Sequence, residues 1–376
     1  MIYFDNASTT ALIEPVLDLV YNSLRNSYAN PSSLHSEGFK VEKLITKARE
    51  QVANAMGVNC EDIYFTSGGT EANNTAVLGV ARARAKQGKS LITTVIEHPS
   101  VADSFHLLEE EGFKVTYLPV DESGLVSPDD LRNAMDSETT LVSIMYVNNE
   151  VGSIQDIQPL YSIVKEINPS CIFHTDCVQA FGKHPIPNYV DLISVSGHKI
   201  HAPKGVGALY IKKGTRLKNL HLGGGQEKGI RPGTENTASI IGFGLAAELS
   251  AKTMAENGER VKAVKKALFD NLSLEGVYVN GSLENASPYI LNLSFKDVKG
   301  EVLLHALERE EIFVATGSAC SSKLKKKGKI ADLLVQGRGE NNIRLSFSHL
   351  NTIEEAQKTA EAINKIVPML RRFKPR

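Results

Sequence analysis

The chain is poor in the features that mark several protein classes. Four cysteines, Cys60, Cys171, Cys177 and Cys320, are spread over 376 residues. That is too sparse for a disulfide scaffold, and without an export signal they read as thiols in a reducing cytoplasm. Net charge is almost nil: 42 Lys+Arg against 43 Asp+Glu gives −1. This argues against general nucleic-acid binding and leaves room only for a local basic patch. No apolar run reaches the roughly 18 residues needed to cross a bilayer. The opening MIYFDNASTT has neither a basic region nor a long apolar stretch, so no signal peptide is expected. Cys171 and Cys177 flank His174 and Asp176, but no second ligand pair follows at zinc spacing, and no metal site is expected. Repeats and low-complexity linkers are absent as well.

What is present alternates. EPVLDLVYNSLRN and FKVEKLITKAREQVANAM read as helices, the second with Leu44, Ala48, Val52 and Ala55 at helical spacing. DIYFTS reads as a strand, and TEANNTAVLGVARARAKQG as a helix ending on Gly88. Strand, helix and strand follow in SLITTVI, VADSFHLLEEEG and KVTYLPV. TLVSIMYV is a near-continuous apolar strand of the kind buried on both faces. IQPLYSIVKEIN predicts a helix, and CIFHTD, VDLISVS and GVGALYIKK predict strands. This order argues for an α/β fold, a mostly parallel central sheet with flanking helices. After about Thr234 the texture changes to long helices and short strands such as YILNLSF, with a last helix from about Thr352, which suggests a second, α+β unit.

Open α/β sheets bind ligands beyond the carboxyl ends of their strands. DIYFTS is followed there by Gly68, Gly69 and Thr70 at a helix start, in outline an anion cradle, although an ordinary turn would read the same way. SLITTVI is followed by Glu97-His98-Pro99, and TLVSIMYV by Asn148-Asn149-Glu150. CIFHT is followed by Asp176 and then Gln179, and VDLISV by Ser196-Gly197-His198-Lys199. Each has a bland alternative as a cap, a turn or a solvated lysine. Together they suit a ligand with an anionic group, a cationic ring nitrogen, a ring hydroxyl and an aldehyde that a lysine can capture. Pyridoxal 5′-phosphate has all four.

The ordered motifs YFDNASTT, NPSSLH, FTSGGTEANN, EHPSV, VNNEVG, HTDCVQA, SGHKIHAPKGVGALY, GGGQEKGIRPGTEN, TGSACSS and IRLSFS run over nearly the whole chain. In them it resembles the cysteine desulfurases of the NifS/IscS type, within the class V aminotransferase-like pyridoxal-phosphate enzymes. The resemblance implies a type I pyridoxal-phosphate transferase fold, with a large coenzyme-binding domain over 14–254. A small α+β domain of 1–13 and 255–376 would carry the cysteine loop. Lys199 would hold the coenzyme covalently and act as base. Asp176 would pair with its ring nitrogen, and Gln179 and Asn149 with its ring hydroxyl. His98 would stack on the ring and help move protons. Gly69, Thr70, Ser196 and His198 would hold the phosphate. Thr234 would reach the phosphate of a neighbouring subunit, which implies a homodimer. Arg344 would grip the carboxylate of L-cysteine as a bidentate fork, with Asn149 beside it. Cys320 would take the sulfur as a persulfide and hand it to an acceptor, an iron–sulfur scaffold or a tRNA- or cofactor-thiolating enzyme. A small-residue loop suits a thiol that must enter the site and leave it.

The segment KLKKKGKIADLLVQG departs most from the family pattern and leaves the acceptor open. Lys323, Lys325, Lys326, Lys327 and Lys329 read either as a solvated loop or as a docking patch for an acidic protein or RNA. Cys177 stands where relatives often have Ala, and Ala202 where Gly is usual; Cys177 reads as a packing residue. Cys60 and Cys171 carry no motif. The rival readings are a selenocysteine lyase, a cysteine sulfinate desulfinase or a plain aminotransferase, and, in another class, an RNA-binding or scaffold protein without catalysis.

Overall fold

The computed structural model describes residues 1–316, 330–335 and 337–372. Its first half runs β1 (Ile2–Tyr3), α1 (Glu14–Asn26), α2 (Ser36–Met56), β2 (Ile63–Thr66), α3 (Gly69–Arg84), β3 (Ser90–Thr94), α4 (Pro99–Glu110), β4 (Lys114–Leu118), α5 (Pro128–Ala134), β5 (Thr139–Ser143) and α6 (Ile157–Ile167). β6 (Ile172–Asp176), β7 (Leu192–Ser196) and β8 (Gly207–Ile211) follow, then α7 (Thr237–Lys252) and α8 (Met254–Asp270). The remainder is β9 (Val277–Val279), β10 (Ile290–Phe295), α9 (Gly300–Glu308), β11 (Ile312–Phe313), α10 (Ile330–Leu334), β12 (Asn342–Ser346) and α11 (Ile353–Arg372).

Seven strands form the central sheet in the order β2-β8-β7-β6-β5-β3-β4. All neighbours from β7 through β4 pair in parallel, and β8 alone runs against both of its neighbours. β3, β5, β6, β7 and β8 are buried along their whole length. Helices cover both faces, so these strands carry continuous rather than alternating apolar residues. Val52, Phe65, Phe173 and Phe243 pack on one face, and Val77, Leu91, Phe105 and Leu209 on the other. α2 stops at Gly57, whose φ of 71° places it in the left-handed region that a β-carbon disfavours.

A third apolar cluster lies around a smaller antiparallel sheet, β12-β10-β9, and contains Phe4, Leu293, Phe295, Leu345, Phe347 and Ile363. The N-terminal segment links this cluster to the central sheet. Phe4 packs edge-on against Phe347 at 5.0 Å, Asp5 bridges to Ser346, and the Thr10 N–H bonds the His198 carbonyl at 3.0 Å.

Two expected elements end early. α3 stops at Arg84 because the Gln87 and Gly88 N–H groups both turn back to the Arg84 carbonyl. β5 stops at Ser143; beyond it the Met145 N–H leaves the sheet for the Glu97 carboxyl at 2.8 Å.

Candidate active site

The carboxyl ends of β2, β3, β6 and β7 surround a cavity of about 360 Å3, a size that suits a small organic ligand. Gly69 and Thr70 come from the N-terminus of α3, and His98 from the N-terminus of α4. Asp176 ends β6, with Gln179 in the following turn; Ser196 ends β7, and His198 and Lys199 sit in the 3-10 turn after it. Asn149 and Arg344 complete the wall, Arg344 from β12 of the smaller sheet. The structure thus gathers ten residues singled out in the sequence.

Asp176 is buried and aimed by two donors. Its Oδ2 accepts from Asn73 Nδ2 at 2.7 Å and its Oδ1 from the Val178 N–H at 2.8 Å. Each oxygen keeps a lone pair for a further donor. Lys199 Nζ donates to the Ala7 carbonyl at 2.5 Å and the Ser8 carbonyl at 2.8 Å. Gln179 Nε2 also donates to the Ala7 carbonyl, at 2.9 Å. Arg344 donates through Nη1 to the Asn149 carbonyl at 3.0 Å, and through Nη2 to Asp5 Oδ1 at 2.8 Å and Ser8 Oγ at 2.7 Å. His98 Nδ1 is bonded to Ser100, through Oγ at 2.8 Å and N–H at 3.1 Å.

Burial pushes His198 down to about 4, with Lys199, Lys204 and Lys183 adding to the effect. Burial also lowers His98; the Asp176 carboxylate opposes that and Lys199 adds to it. In both rings burial favours the uncharged form. Glu97, next to His98 in sequence, points elsewhere: its Oε1 accepts from the Met145 N–H and Thr94 Oγ1, and burial raises its carboxyl to about 8.

Among the described residues, several buried polar atoms of the wall have no protein partner: Gln179 Oε1, Ser196 Oγ, Asn73 Oδ1 and Arg344 Nε. Orphaned groups of this kind cost about 1–3 kcal/mol each. They fit a ligand that brings a hydroxyl to Gln179, an anion to Ser196 and a carboxylate to Arg344. Gly69 permits Val178 to pack closely on the start of α3, since a Cβ there would meet Val178 Cγ2 at 2.7 Å. The donor set, with Asp176 as acceptor and Lys199 as amine, fits pyridoxal 5′-phosphate together with an amino acid.

One expected residue is not in this wall. Thr234 is exposed and does not line the cavity. Cys320 and the lysines from Lys323 to Lys329 lie outside the described residues. Thr316, four positions before Cys320, does line the cavity. The other cysteines are elsewhere: Cys171 and Cys177 are core residues whose thiols burial pushes up, Cys171 to about 12, and Cys60 is half-buried. Asn73, Ser100, Asp5 and Ser8 were not picked out from sequence, although Asn73 was readable as a buried polar residue in an apolar helix. Among the described residues no cluster suits a metal ion, and no helix is long and apolar enough to cross a membrane.

The family model for class-V aminotransferases matches residues 2–359. A cysteine desulfurase IscS of Dictyoglomus turgidum is 41% identical over 381 residues, covering 100% of this chain and 96% of that one. A solved NifS-like protein superposes with a TM-score of 0.92 at 36% identity, over 98% of this chain and 99% of its own. The structure of SspA in complex with cysteine gives a TM-score of 0.82 at 32% identity, over 92% of this chain and 99% of its own.

Proposed function

The chain belongs to the class-V aminotransferase family and is a cysteine desulfurase of the NifS/IscS type; from that premise we propose which of its residues do the work. Enzymes of this family depend on pyridoxal 5′-phosphate, and L-cysteine is the substrate. The coenzyme would be held covalently by Lys199, with Asp176 serving its ring nitrogen, Gln179 and Asn149 its hydroxyl and His98 its ring. Gly69, Thr70, Ser196 and His198 would take the phosphate. Once bound, the group supplies an electron sink for the charge left when the substrate loses its α-proton.

The chain's own groups do the rest. Arg344 orients the substrate carboxylate through its open Nε. Asp5 and Ser8 fix the guanidinium from behind. Lys199 Nζ, once the substrate amine has displaced it from the coenzyme, would take and return the α-proton. The Cys320 thiolate takes the substrate sulfur: an S–S bond forms, the C–S bond breaks, and alanine leaves with that electron pair and a proton. Thr316 lines the cavity, and four residues of chain reach at most about 14 Å from it, which supports Cys320 as the nucleophile. The observation that carries the reading is the meeting of Lys199, Asp176 and Arg344, drawn from two sheets, around unpartnered buried polar atoms.

The rest of the assignment is an extension of this reading. Thr234 serves the phosphate of a second copy in a homodimer, an idea supported by its exposure and by the exposed apolar stripe Leu17, Tyr21 and Leu24 on α1. The split into 14–254 and 1–13 plus 255–376 is supported by Phe4 and Ala7 sharing the C-terminal apolar cluster. The sulfur acceptor is a protein of iron–sulfur assembly or tRNA thiolation, docked near the lysines after Cys320, and the reaction runs in the cytoplasm.

Cys320→Ala tests the mechanism. Purified protein given L-cysteine and an alkylating probe should form a persulfide at residue 320 by mass spectrometry. The variant should form none and lose sulfide release, while any selenocysteine cleavage continues. Undiminished sulfide release from cysteine in the variant would sink the assignment.

A further inference from the structure

A chain of hydrogen bonds runs from Asp176 to His98 through two residues that touch neither coenzyme nor substrate in the reading above. Asn73 Nδ2 has two hydrogens. One goes to Asp176 Oδ2 at 2.7 Å and the other to Ser100 Oγ at 2.9 Å. Because Ser100 Oγ accepts from Asn73, its own hydrogen is left for His98 Nδ1 at 2.8 Å. The same Nδ1 accepts from the Ser100 backbone N–H at 3.1 Å, because His98 is the N-cap of α4. Pro99 at the first helical position has no N–H to compete. Two donors therefore converge on one ring nitrogen, and a proton there would face an N–H that cannot turn away.

We infer that His98 is held as a neutral imidazole with its only proton on Nε2, so that it serves the cavity as a fixed hydrogen-bond donor and not as a proton-accepting base, with Ser100 and Asn73 as the positioning residues that enforce this. The N-terminus of α4 works in the same direction, since its partial positive charge disfavours an imidazolium. The charged groups around the ring are Asp176 at the end of β6, Lys199 after β7 and Asp103 on α4. Asp176 and Asp103 favour the cation and Lys199 opposes it, while burial is the largest influence and also favours the neutral ring. The Lys199 amine is then left as the group that takes protons in the cavity. This last consequence rests on the coenzyme reading; the tautomer does not.

The test is a long-range proton–nitrogen NMR spectrum of the full chain labelled with [15N]histidine, followed over pH with and without added pyridoxal 5′-phosphate. The His98 signals are assigned by their loss in His98→Gln. The expected spectrum has Nδ1 unprotonated, Nε2 protonated, and a midpoint below the usual value of about 6.5. Ser100→Ala should raise that midpoint by about 0.5–1 pH unit, the equivalent of one hydrogen bond, and Ser100→Thr should restore it. A proton on Nδ1, a midpoint at or above the usual value, or an unmoved midpoint in Ser100→Ala would overturn the inference. The parent spectrum decides the tautomer even if a variant fails to fold. Failure of the coenzyme reading shows separately, as no visible absorption band on adding pyridoxal 5′-phosphate.

Discussion

His98, at the start of α4 just beyond β3, and His174, within β6, are bonded in opposite ways. His174 is fully buried, with Nδ1 on Ser143 Oγ at 2.8 Å and Nε2 on Ser194 Oγ at 2.9 Å. These partners come from β5 and β7, so the ring ties three neighbouring strands together. Nothing is left for a ligand, and burial lowers it to about 3. Among the described residues His98 bonds through Nδ1 alone, and its ring lines the cavity. A closed polar network stiffens a core, and an open one receives a ligand. The same contrast separates the two Nη atoms of Arg344, which are bonded, from its Nε, which is not.

Three changes probe the contrast. Arg344→Lys keeps a positive charge near Asp5 but loses the Nε–H that is open to the substrate carboxylate. It should lower kcat/KM for cysteine about 100-fold, mostly through KM, as steady-state alanine formation would show. An unchanged KM would mean that the open Nε is not the carboxylate site.

His174→Leu should leave kcat/KM within about threefold and cost about 2 kcal/mol of stability at pH 7, because two buried hydroxyls lose their partner. The pH dependence has a definite sign. The folded-state value near 3 is below the unfolded value, so the unfolded chain binds this proton first. The stabilisation from neutral His174 is complete above about pH 6.5 and falls by about 1.4 kcal/mol per pH unit below it, down to about pH 3. The variant lacks this slope. Urea midpoints of parent and variant should therefore differ at pH 7 and converge near pH 5.

His98→Gln should do the reverse. Stability stays within about 1 kcal/mol, and kcat falls by about tenfold, less than the hundredfold or more of a lost general base. A larger fall with an altered pH profile would restore His98 to the role of base.

Much of the site was legible because it obeys one rule. Asp176, Gln179, Ser196, His198 and Lys199 each end or follow a strand, and a parallel sheet brings its strand ends to one edge. Arg344 could be placed only by family likeness, since it sits on another sheet, 145 residues beyond Lys199 in the numbering. Asn73 and Ser100 were hidden for a different reason. Both sit in early helical turns, where Asn and Ser are ordinary, and only the approach of α3 to α4 brings them together. α5 was missed because seven residues give too short a period to recognise. The overlong reading of β5 followed its apolar run, and the polar Glu97 carboxyl that takes the Met145 N–H comes from outside that stretch.

Local pattern alone settled the α/β architecture, the strand-end placement of the lysine and aspartate, and the chemistry they suit. These depend on spacing along the chain and on parallel pairing. Tertiary packing decided the rest: which histidine is open and which is closed, what aims Arg344, and which buried atoms lack partners. Hydrogen-bond satisfaction is a property of groups far apart in sequence, so it exists only once the sheets and helices have met.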